Sequence, residues 1–159
     1  MDEQDIERVV QDVLCQMKAP SPMDLRLAKA LIDRIEHKAG QMGVRAVIAV
    51  SDAAGRPVAV HVMDGAYIGS FDIALNKTYT SAAFRTSTAR LGELAAPGGS
   101  LYGIQFTNQG KVVIFGGGEP LMRNGEMIGA VGVSGGTAEQ DTELGAYGRD
   151  ILEEVIRWK

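Results

Sequence analysis

Residues 44–63 constrain the fold more than any other stretch of the chain. Val44 to Ser51 and Val58 to Met63 are two runs of β-favouring residues, and the segment Asp52-Ala-Ala-Gly-Arg-Pro57 between them carries turn chemistry. The pair reads as a hairpin. Ahead of it, Leu25, Ala28, Leu31, Ile32, Ile35, Ala39 and Met42 recur at helical spacing. Ser21, Pro22 and Asp24 supply an N-cap, a first helical position and a first-turn acid, and Gly43 supplies the stop. Helical period on one side and strand signals on the other commit the chain to an α+β arrangement with an antiparallel sheet.

Beyond the hairpin, Ser70 is placed to cap a helix on which Ile73, Lys77, Thr80, Ser81 and Phe84 share a face. A shorter helical piece follows from Ser87 through Leu94, and Pro97-Gly-Gly99 closes it. Strand-like runs are then expected at Tyr102 to Thr107, Val112 to Phe115 and Met127 to Ser134. The Asn124-Gly125 pair signals a type I′ hairpin turn. Thr137 with Gln140 forms a capping box, and Glu139, Asp141 and Glu143 complement the dipole of a last helix ending near Trp158.

Composition excludes several functions. The chain has 159 residues and a net charge of −4, with Lys and Arg scattered, so neither nucleic acid nor an anionic membrane is an expected partner. The lone Cys15 forms no intrachain bridge, and no apolar stretch is long enough to cross a membrane, which together suggest a reducing cytoplasm. His37 and His61 are the two histidines, and no Cys-x-x-Cys or His-x-x-x-His spacing offers a zinc site. Phe115-Gly-Gly-Gly118 lacks the ending of a P-loop, and Gly129, Gly132 and Gly135 are wrongly spaced for a dinucleotide fingerprint. No Ser-His-Asp or Cys-His pairing is visible, and no enzymatic reaction is assigned.

The residues that remain for binding are few. Gly135-Gly136-Thr137, at the start of the last helix, offers unpaired N–H groups to a carboxylate or phosphate, or is an ordinary strand-to-helix turn. Lys77 lies among small residues on a packed helix, so it needs a route to water or an anionic partner, and with Arg85 it can receive carboxylates. His61, between Val60 and Val62, is either exposed on the sheet or lines a cleft. Met63 and Met122 can offer a thioether to a metal but read better as core fillers.

Phe115-Gly-Gly-Gly-Glu-Pro-Leu121, Val131-Gly-Val-Ser-Gly-Gly-Thr-Ala-Glu-Gln-Asp141, Met63-Asp-Gly-Ala66 and the stretch Asp72 to Phe84 together resemble the GlcG/HbpS-like family of small haem-binding domains. The resemblance implies a profilin-like fold, with a five-stranded antiparallel sheet flanked by helices, in proteins that form homo-oligomers. Family members include partners of secreted haem sensors and the C-terminal domain of a cobalamin adenosyltransferase of bacterial microcompartments. In that microcompartment relative a histidine late in the first domain helix ligates haem iron, and His37 occupies the similar place. His37 is thus the first choice for iron and His61 the second, with Lys77, Arg85, Gly135, Gly136 and Thr137 available to the propionates. A corrinoid or another small anionic molecule in the same cleft is the alternative ligand, and a purely structural oligomer is the third reading.

The expected layout is a helix over residues 1–17, a linker over 18–22 and the family domain over 23–159. In the first segment Ile6, Val9, Val10, Val13, Leu14 and Met17 lie on one helical stripe, ahead of two prolines at 20 and 22. It resembles a microcompartment encapsulation peptide, which implies a shell or cargo partner in the microcompartment lumen. Packing on its own domain, or on a neighbour in an oligomer, is the other reading.

Overall fold

The computed structural model describes residues 3–17 and 22–158, together with all their side chains except those of residues 3, 11, 12 and 14–17. Residues 18–21, including Ser21, and the side chains of Leu14, Cys15 and Met17 lie outside the described set.

The first helix, α1, is Glu3–Met17 and the second, α2, is Leu25–Gln41. Asp24, not Ser21, caps α2: its carboxylate accepts the Leu27 N–H at 2.7 Å from an extended backbone. That satisfies a donor with no partner inside the helix. Leu27, Ala28, Leu31, Ile32, Ile35 and Ala39 form the buried face of α2, whereas Leu25 stays 57% exposed.

The hairpin is present as β1 (Val47–Asp52) and β2 (Pro57–Val62). Next come α3 (Ser70–Phe84) and α4 (Thr88–Ala95), then β3 (Gly118–Arg123) and β4 (Glu126–Ser134), joined through Asn124 and Gly125, both at positive φ as a type I′ turn needs. Two further helices close the chain, α5 (Ala138–Asp150) and α6 (Leu152–Trp158), where one continuous helix is expected from sequence; Ile151 interrupts them.

Among the described residues the sheet has four strands, not five, in the order β2-β1-β4-β3 with every pairing antiparallel. The two remaining strand-like runs are spent otherwise. Ile104–Phe106 and Asn108–Gly110 are 3-10 turns, entered through Gly103 at φ 90°. Val112 and Val113 are buried, but the Val113 N–H is given to the Thr80 hydroxyl at 3.0 Å and not to a neighbouring strand. A side chain of α3 thus takes the donor that a sheet ladder needs.

Central position explains why β1 is apolar on both sides. Ile48 and Val50 join α2, Leu144 of α5 and Val155 of α6 in the larger core, while Val47 and Ala49 pack with Ala74 of α3 on the opposite face. Gly132 of β4 lets α3 lie flat on the sheet, since a Cβ there would overlap the Ala74 carbonyl oxygen. No helix among the described residues is long and apolar enough to cross a membrane.

Candidate functional site

His37 stands on the outer face of α2. It is two residues from both Ile35 and Ala39, roughly 200° around the helix from each, and its side chain is exposed. Gln41, one turn on, holds the imidazole: its amide nitrogen lies 3.1 Å from Nε2. An imidazole nitrogen with its lone pair free is the kind of atom that ligates a metal. Nε2 is engaged by one exposed contact that a metal can replace.

His61 is committed elsewhere. From β2, opposite Ile48, it turns onto α2, with Nδ1 2.8 Å from Glu36 Oε1 and 4.0 Å from Asp33 Oδ1. These three side chains bring ligand-type atoms within 4.8 Å of one another and can hold a cation, although the imidazole already gives Glu36 a partner. Beside them opens a cleft of about 780 Å³ between the end of α2, the start of β1 and the turn after β2. Val44, Val62 and Met63 line it with apolar atoms, and Glu36, Arg45 and Asp64 supply its charges. Met63 Sδ accepts the Ala46 N–H at 3.3 Å, so its sulfur is engaged. Met122 is 46% exposed and does not fill the core, contrary to the sequence reading.

A second group of residues surrounds Lys77. Its side chain is fully buried; Nζ lies 3.0 Å from Asp141 Oδ2, donates to the Val133 carbonyl at 2.7 Å and sits 4.9 Å from the centre of the Phe115 ring. Burial pushes the amine below its ordinary 10.5, and Asp141 opposes that shift. Arg85 is exposed at the end of α3, with φ 52°, and lies eight residues or about 12 Å along the chain from Lys77. The two cations are not brought together.

The turn before α5 is equally occupied. Gly136 N–H donates to Asp141 Oδ1 at 2.9 Å, Thr137 N–H donates to Gln140 Oε1 at 2.9 Å, and Thr137 Oγ1 accepts from Gln140 N–H. The expected capping box is present, and it leaves the N–H groups of Gly136 and Thr137 with internal partners. Next to this turn a smaller pocket of about 350 Å³ lies between Tyr67, Phe115 and the bonded hydroxyls of Ser70 and Ser134.

Sequence reasoning missed Glu36, Arg45 and Asp141 as members of these groups. Asp141 was legible only as a first-turn acid, and Arg45 only as one charge at the head of a β run, because their partners are far away in the chain.

A profile of the family described as haem degrading protein HbpS-like matches residues 23–150. A 15.0 kDa protein of the dhaT-dhaS intergenic region of Citrobacter freundii is 45% identical over 131 residues, which cover 82% of this chain and 92% of that protein. The corrinoid adenosyltransferase PduO of Salmonella typhimurium is 39% identical over 75% of this chain, and the match spans 34% of PduO. Among solved structures, Klebsiella pneumoniae protein ORFY superposes with a TM-score of 0.81 at 38% identity, covering 86% of this chain and 95% of that one. A PduOC:heme complex superposes at 0.78 with 34% identity, covering 82% and 94%. HbpS of Streptomyces reticuli, as a double mutant, shares the fold at 0.76 and 21% identity, covering 86% and 90%.

Proposed function

The chain belongs to the HbpS-like family, and from that premise we propose that it binds haem, with His37 as the axial ligand to iron. The observation that carries this reading is the His37 imidazole on an open helix face, its Nε2 3.1 Å from the exposed amide of Gln41, one helical turn from the cleft wall at Gly40. A haem needs an imidazole, apolar surface for its ring and donors for its carboxylates. His37, the Val44, Val62 and Met63 surface, and Arg45 supply one of each kind. Bound haem adds a redox-active iron; what the protein contributes is the ligand, the apolar wall and the charge balance. The similarity to the protein of a PduOC:heme complex supports the same reading.

His37 faces outward, so no wall of its own chain covers the far side of a ring ligated there. A second copy of the chain is the natural cover, and the functional unit is a homo-oligomer. The similarity to PduO supports a place in a bacterial microcompartment, with α1 as the segment that docks on a shell or cargo protein.

Titration of the purified chain with haemin tests the central claim. A shifted Soret band that saturates near one haem per binding unit is expected, and His37→Ala should lose that protein-bound band and weaken binding by at least tenfold. Unchanged spectra and affinity in that variant would remove His37 as the ligand. The same titration with cobalamin separates haem from the corrinoid alternative.

A further inference from the structure

We propose that Arg45 is the residue that takes the carboxylates of the bound porphyrin, an inference that rests on the haem reading above. Arg45 lies between the end of α2 and the start of β1 and is exposed. It is the one cation among the described residues that line the 780 Å³ cleft.

Two glycines on separate loops give it room. A Cβ at Gly135 would overlap the Arg45 carbonyl oxygen, so the backbone is held by the turn before α5. A Cβ at Gly65 would stand 2.5 Å from Arg45 Nη1 and 3.0 Å from its Cδ, so the side chain lies along the backbone of the turn after β2. Gly65 has φ 81°, a conformation that glycine adopts without strain. The missing side chain at Gly65 leaves room for the arginine to lie over that turn, beside the cleft it lines.

Its charge is also unspent. Lys38 pairs with Glu143, Arg123 with Glu153, Arg149 with Glu119, and Arg34 with Glu154, but no carboxylate among the described residues is within ion-pair reach of Arg45. Glu36 and Asp64 line the same cleft without pairing to it, and Glu36 is bonded to His61. A guanidinium fork suits a carboxylate with two parallel bonds, a geometry that an ammonium lacks. Without Arg45 the cleft would present two acids to a doubly anionic ligand, so its loss removes an attraction and exposes a repulsion. The Gly135-Gly136-Thr137 turn is a weaker seat, since the Gly136 and Thr137 donors are already used.

The test compares haemin with haemin dimethyl ester, whose carboxylates are blocked, on the full chain and on its Arg45→Gln, Arg45→Lys and His37→Ala variants. Arg45→Gln should weaken haemin at least tenfold, keep the wild-type Soret position and bind the diester within about twofold of wild type. Arg45→Lys should recover part of the loss, and both variants should melt with the wild type because the side chain is exposed. Wild-type haemin affinity in Arg45→Gln, with binding lost in His37→Ala, overturns the Arg45 assignment and leaves the haem reading standing. Equal losses for haemin and diester in Arg45→Gln also overturn it, and no shifted Soret band with the unmodified chain overturns both.

Discussion

Lys77 and Asp141 are 64 residues apart, yet each is the other's charge partner in the interior, with side chains 0% and 5% exposed. Breaking such a pair from one side leaves an uncompensated charge at a cost of about 3–5 kcal/mol. Lys77→Met should therefore destabilise the protein by that order, whereas Lys77→Met with Asp141→Asn should recover part of it, because the amide oxygen still accepts the Gly136 N–H. Urea unfolding of the wild type and the two variants checks this; a double variant no more stable than Lys77→Met alone would show that the charge is not the issue. The pH dependence follows from the amine's shift. Its folded pKa lies below the unfolded value of 10.5, so between the two the unfolded chain binds more protons and stability rises with pH. The deficit is full below the folded pKa and fades toward 10.5. Wild type should gain on Lys77→Met as pH climbs through that window.

Among the elements, α1 keeps apolar side chains in the open. Ile6, Val9, Val10 and Val13 are between 46% and 54% exposed, so these four residues of the stripe are not buried in a core. A 15-residue helix is marginal by itself in water, and under the docking proposal its stability comes from a partner surface. Each large apolar side chain fully buried there contributes roughly 1.5–3 kcal/mol before ordering costs. Deleting residues 1–20 should leave the unfolding midpoint of the remaining domain and its haem affinity unchanged. Fused to a fluorescent protein, the same residues should direct it to microcompartments, and the Val10→Asp fusion should stay diffuse. A truncated domain that unfolds would assign α1 to the fold and end the docking proposal. The run Val112 to Phe115 makes the complementary point: it looks like a strand by composition, yet it lies outside the sheet, with its Val113 N–H given to the Thr80 hydroxyl.

For the molecule as a whole, the notable quantity is apolar surface left uncovered. Ile68 is 96% exposed, Phe106 83%, Tyr67 75% and Tyr102 67%, large apolar side chains available to a neighbouring copy. Together with the open face around His37, this predicts association of identical chains. Light scattering at micromolar concentration should give a multiple of 16.9 kDa, and Phe106→Ser with Ile68→Ser should lower it. A monomer in the unmodified chain would contradict the proposed site as well as the assembly, since His37 would then have no second wall.

What the sequence determined by itself is local. The buried stripe of α2, the β1–β2 hairpin, the Asn124-Gly125 turn and the Thr137–Gln140 capping box all depend on residues within a few positions of one another, where spacing and backbone preference act directly. The family motifs were legible for the same reason. Tertiary structure alone decided the strand count, the commitment of His61 to Glu36 across 25 residues, the burial of Lys77 against Asp141, and the cleft that joins Arg45 to Gly65. Those outcomes depend on which donor or charge is nearest once the core has closed around β1, and burial makes an unmatched group too costly to leave.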